Sequence, residues 1–255
     1  MFRATGRQGR GLLVLLTVLA IVLAACGSSG TAAPSTGGGL LGGSTAAPTT
    51  GGGGGVGLSG AAAKLSDISS YKFTMTLAGG TFGSTLSMLG GAAATGGAFT
   101  MSGTIVVSPD KAADINMGGF HIIEVGGTDY IDMGTGTFMS TPATGTSMAD
   151  SFAPATMFSS MVGSTAEGFN KVGNEQKNGV SADHYQGTQA VYGELDSLAG
   201  VSGATWTADL WIATDGGYPV SMAIIATSSG AVVYEILFDI TNVNDPNNKI
   251  TAPKV

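Results

Sequence analysis

From residue 71 to residue 243, apolar side chains recur at every second position in short runs that glycine-bearing turns interrupt. A helix, with its period of 3.6, cannot gather such a pattern on one side, whereas a strand with one face on a core requires it. The alternating sets are Phe73/Met75/Leu77, Met101/Gly103/Ile105/Val107, Ile115/Met117, Ile131/Met133, Leu210/Ile212, Val220/Met222/Ile224 and Tyr234/Ile236/Phe238. Strands are expected at 71–77, 99–107, 112–117, 121–125, 128–133, 171–175, 181–186, 205–213, 218–227 and 231–243. The pairs Gly126-Gly127 and Asn178-Gly179 suit tight hairpin turns, since both positions of such a turn need positive φ. Connections this short join antiparallel neighbours and need no crossover helix. Short helices are expected at 60–69, 150–162 and 189–198. The sum is an α+β domain built on a large twisted antiparallel sheet of nine to eleven strands.

The N-terminus carries an address rather than a fold. Arg3, Arg7 and Arg10 precede an apolar stretch at 12–23, followed by Ala24, Ala25 and Cys26. The stretch is shorter than the ~20 residues of a stable span, so residues 1–25 read as a removable export signal. Leu23-Ala24-Ala25-Cys26 resembles the bacterial lipobox, in which the thiol receives a diacylglyceryl group and cleavage falls just before it. Cys26 is the only cysteine of the chain, which leaves no thiol for a disulfide or a nucleophile. The expectation is a lipid-anchored protein on the extracytoplasmic face of a cell membrane.

Residues 26–57 are Cys26 followed by Gly, Ser, Thr, Ala and Pro apart from Leu40, Leu41 and Val56, with no charged side chain. Such a composition buries nothing and serves as a tether with a typical reach of about 30 Å. Two G-x-G-x-x-G matches fall inside it, without the strand and helix that a dinucleotide site needs. Residues 58–255 remain as one domain. All three arginines lie in the signal, so the exported chain has seven lysines against seventeen carboxylates, a formal net charge of −10. That balance argues against nucleic acid and against an electrostatic grip on anionic head groups.

Several segments in order, LSDISSYKFTMTL (65–77), IIEVGGTDYIDM (122–133), KVGNEQKNGVSADHY (171–185) and WTADLWIATDGGYPVSMA (206–223), together with the closing residues 239–244, resemble the LolA-like superfamily and its LppX/LprAFG lipoprotein branch. The resemblance implies a half-barrel sheet around an apolar cavity, with two or three short helices on its concave side, that holds lipid or lipoprotein acyl chains. It makes Phe73, Met75, Leu77, Met101, Ile105, Ile115, Met117, Ile131, Met133, Leu210, Ile212, Met222, Ile224, Tyr234, Ile236 and Phe238 the expected cavity wall. Methionine recurs in this set, and its flexible thioether adapts to irregular apolar partners. An ordinary sheet core under helices has the same pattern, so the residues by themselves leave both readings open.

No serine-hydrolase elbow and no zinc signature occurs, and the two histidines, His121 and His184, stand in strand and hairpin contexts. Asp129 and Asp132 are three apart, which in a strand puts them on opposite faces. The oxygen-rich stretch at 242–248 lacks the spacing of a calcium loop and reads as a turn. Tyr185, Trp206, Trp211 and Tyr218 read as packing residues or as the rim of a cavity. The expectation is a non-enzymatic monomer without cofactor or metal, its partners a membrane and an amphiphilic lipid, or else a protein-interaction module of the same fold with a filled core.

Overall fold

The computed structural model describes residues 65–79, 98–156, 168–187 and 202–255. The export signal, Cys26, the tether and the helix expected at 189–198 lie outside the described residues. So do residues 60–64 and 157–162 of the other two expected helices.

Eleven strands are present: β1 (Ser70–Gly79), β2 (Ala98–Val106), β3 (Ala112–Met117), β4 (Phe120–Val125), β5 (Thr128–Asp132), β6 (Met139–Pro142), β7 (Phe169–Lys177), β8 (Val180–Gly187), β9 (Thr205–Ala213), β10 (Pro219–Ser228) and β11 (Ala231–Thr241). They form one open antiparallel sheet in the order β6-β5-β4-β3-β2-β1-β11-β10-β9-β8-β7. The first and last strands therefore meet in the middle of the sheet, paired from Lys72↔Thr241 to Gly79↔Tyr234. A meander runs outward from each side of this seam.

The hairpin turns follow from backbone freedom. Gly126 and Gly127 both have positive φ, at 59° and 76°, and Asn178 and Gly179 stand at 50° and 81°. Glycine and asparagine enter that region at low cost, and the paired left-handed residues match the twist of the flanking strands.

The helices depart from expectation. Residues 65–69 yield only a 3-10 turn, Leu65–Asp67, before β1 begins. The helix expected from residue 150 starts earlier, as α1 (Met148–Ser151), because Ser147 caps it by accepting from the Ala149 N–H. It ends at Phe152, two residues before Pro154, whose ring and missing N–H bar continuation; residues 154–156 open a new helical turn. Strand β6 has no counterpart in the sequence pattern, since four residues ending in proline carry no readable alternation.

One face of the sheet holds the core. Tyr71, Phe73, Met101, Ile105, Ile115, Leu210, Met222, Tyr234, Phe238 and Ile240 are buried there in a single cluster. Phe152 belongs to the same cluster and stacks on Phe73, with ring centroids 5.3 Å apart. The opposite face is largely polar, with Lys72, Thr74, Ser102, Thr104, Asn116 and Asp239 on the central strands.

Candidate functional site

Register partners in an antiparallel ladder share a face, so the pairing shows which side chains stand in line. One line crosses eight strands: Phe120, Met117, Met101, Met75, Phe238, Met222, Leu210 and Tyr185. Four of its eight members are methionine, so a belt of pliable thioethers spans the middle of the core face. Met101 and Met222 are buried, and Met75 and Met117 partly so.

A second line lies two residues along each strand. It runs Met139, Ile131, Ile122, Ile115, Gly103, Phe73 and Ile240, from edge strand β6 across the seam to β11. Exposure falls steadily along it, from 57% at Met139 through partly buried Ile131 to 9% at Ile122 and 2% at Ile115. Gly103 is required in this line. A Cβ there would stand 2.4 Å from the Asp114 carbonyl oxygen and 3.0 Å from Cε1 of Phe73, so the bare backbone makes room for the Phe73 ring.

The segment after β6 returns across this face as a strap. The Glu124 carboxylate, on β4, accepts from the Ser147 hydroxyl and from the Met148 N–H at 2.7 Å. At the other end the Tyr71 hydroxyl donates to the Phe152 carbonyl. Burial pushes the Tyr71 hydroxyl far above the usual phenol range, which keeps it a donor. Asp129, the register partner of Glu124, has one carboxylate oxygen, Oδ1, that is buried and receives no hydrogen bond. Burial first, and then the Glu124 charge, raise the Asp129 carboxyl above its ordinary range.

Of the sixteen residues expected to line a cavity, Phe73, Leu77, Met101, Ile105, Ile115, Leu210, Ile212, Met222, Ile224, Tyr234 and Phe238 are buried. Met75, Met117, Ile131 and Ile236 are partly buried, while Met133 lies past the end of β5 and is 57% exposed. A cleft of about 460 Å³ lies elsewhere, lined by Val180, Ala213, Asp215, Tyr218, Val243 and Asn244 among others and by none of the sixteen.

No family model and no curated protein matches the chain. Among solved structures it is similar to the lipoprotein LppX of Mycobacterium tuberculosis, with a TM-score of 0.43 and 16% identity over 74% of this chain and 94% of that one. LprF from Mycobacterium bovis gives 0.38 and 14% over 77% and 97%, and a LolA superfamily protein from Nitrosomonas europaea gives 0.22 and 11% over 73% and 92%. These neighbours are of the LolA-like, LppX-type fold that the sequence segments resemble, at low identity throughout.

The remaining chemistry-bearing residues fall outside the core face or into its packing. His121 pairs with Asp114 at 2.7 Å and His184 with Asp209 at 2.8 Å, both on the polar face, where Trp211 stacks on His184. Asp132 faces the same way, opposite His121, while Asp129 faces the core, as the three-residue spacing requires. Trp206 packs against Tyr234 and Tyr185 is buried in the core. In the 242–248 stretch Asp245 accepts from Asn242 and Asn247, which closes a turn. Among the described residues no group of three or more His, Cys, Asp or Glu is placed to hold a metal ion.

Sequence reasoning missed Phe152, Ile122 and the Glu124/Asp129 pair. A signal existed for the strap, because Ser147-Met148-Ala149-Asp150 has the Ser-x-x-Asp spacing of a helix start. Ile122 stands beside Ile123 on the chain, so alternation by itself does not assign it to a face.

Proposed function

We propose that this chain is a lipoprotein anchored through Cys26 on the outer side of a cell membrane, and that its core face takes the acyl chains of an amphiphilic lipid for carriage or transfer within the cell envelope. The observation that carries the reading is the eight-strand line with methionine at 75, 101, 117 and 222. Methionine side chains repack around irregular partners without a fixed rotamer, which suits a surface that must release and re-bury chains of differing shape. Each sheltered CH₂ contributes on the order of 0.8 kcal/mol, so a two-chain lipid binds without a charged clamp. The lipobox-like segment and the uncharged tether, followed by a domain of net negative charge, agree with a protein held beside a bilayer by lipid and not by basic residues. Catalysis forms no part of this reading.

The test is native mass spectrometry of the full chain after extraction in mild detergent, with uptake of a fluorescent fatty acid measured in parallel. Protein carrying lipid-sized mass and saturable uptake are expected. Bare protein together with no uptake would overturn the reading.

A second reading, a protein-interaction module with a filled core, is favoured by the Phe152 ring stacked on Phe73 and by the near-complete burial of Tyr71, Ile105, Phe238 and Ile240. It expects the core face to stay closed to every lipid offered.

A further inference from the structure

We infer that the acyl chain of a neutral amphiphile enters the core face over edge strand β6, along the line Met139, Ile131, Ile122 and Ile115, and that Asp129 accepts a hydrogen bond from the amphiphile's polar head. The inference rests on the lipid-binding reading and adds to it a route and a head-group chemistry.

Three observations on one flank of the sheet carry it. The line of register partners is apolar at every position and its exposure decreases inward from 57% at Met139 to 2% at Ile115. A chain laid along it trades water for apolar contact at each step, so burial draws it inward. β6 is also the last strand of the sheet, and its four residues are all exposed. Finally, Asp129 stands on β5, two residues before Ile131 and on the same face, with a buried oxygen that lacks a donor. A hydroxyl or amide head supplies that donor. A phosphate head meets the carboxylates of Asp129 and Glu124 instead, which excludes it by like-charge repulsion. The occupant is a membrane lipid and not a soluble one because the anchor proposed at Cys26 would keep the chain beside a bilayer.

The experiment uses the full chain in mild detergent and two diazirine-labelled probes, a diacylglycerol and a phosphatidic acid, with the adducts mapped by peptide mass spectrometry. Diacylglycerol is expected to label residues 122–139 at the shortest times and to outcompete phosphatidic acid by roughly tenfold, the worth of one hydrogen bond to a charged group. Met139→Lys, a change at an exposed edge position, is expected to slow labelling about tenfold, since the chain must then cross a charge. Val172→Lys, 55% exposed and on β7 at the opposite edge of the sheet, should stay within about twofold of wild type. Asp129→Asn should reduce the preference for diacylglycerol to about threefold or less, because the repelling charge is gone. Wild-type labelling in Met139→Lys, or an equal loss in Val172→Lys, overturns the route while leaving lipid binding in place. An unchanged preference in Asp129→Asn overturns the head-group assignment. Failure of both probes to label the wild-type chain at all overturns the route and the lipid-binding reading together.

Discussion

The Tyr71 hydroxyl, on the first strand of the sheet, donates to the backbone carbonyl of Phe152, which lies 81 residues later at the end of α1. The bond is buried and fixes the strap in the position where the Phe152 ring covers Phe73.

Tyr71→Phe removes the hydroxyl that donates to that carbonyl in a buried setting. The expected cost is about 1–3 kcal/mol of unfolding free energy, read as a lower urea midpoint with unchanged slope. Faster amide exchange at Phe152 and Ala153 should accompany it, whereas exchange in β9 to β11 should change little. A loss spread evenly over the sheet would show that the bond serves global stability and not the seating of the strap.

Gly103→Ala tests the close approach of Phe73 to β2. The added methyl would meet the Asp114 carbonyl oxygen at 2.4 Å, which is backbone and cannot swing aside. A destabilisation of about 1–3 kcal/mol is expected from overpacking. Gly119→Ala is the control, for its new Cβ meets nothing within 4 Å, and the change should lie within about 0.5 kcal/mol. Equal effects at both positions would contradict the proposed role of Gly103.

The raised carboxyl of Asp129 sets a pH dependence. A carboxyl whose folded value exceeds its ordinary 3.8 binds protons more tightly in the native state, so its ionisation weakens the fold as pH rises through and above that range. Asp129→Asn should therefore raise the urea midpoint at pH 7, and the gain should shrink as pH falls toward 3, where the wild-type carboxyl is neutral too. Glu124, which faces Asp129 and holds Ser147 and Met148, is kept in both proteins, so the comparison isolates one group. A variant less stable than wild type at pH 7 would refute this account.

Much of the sheet was legible because its strands are two-faced. Phe73, Met75 and Leu77 alternate with Lys72, Thr74 and Thr76, and solvent on one side leaves that contrast intact. The Asn178-Gly179 turn was legible because its chemistry is local and the positive φ at both positions selects the residues. What escaped was long-range or short. Pairing of Met75 with Phe238 rests on no feature of either segment and appears only when both meanders are in place. Strand β6 is too brief and too exposed to carry a pattern. The strap escaped because Phe152 owes its place to Tyr71 and Phe73, both distant in sequence. At the candidate site the parity of the wall residues was readable, yet the inward gradient from Met139 to Ile115 was not, since exposure depends on what lies above the sheet and not on the strand itself.

Because β1 and β11 are neighbours, the sheet has its join at the centre and both of its free margins come from the interior of the chain. A chain made N-terminus first must then hold β1 unmatched on one side until the final strand emerges, a delay set by synthesis and not by local folding speed. Truncation ahead of β11 would accordingly yield two unconnected half-sheets, not a slightly smaller whole.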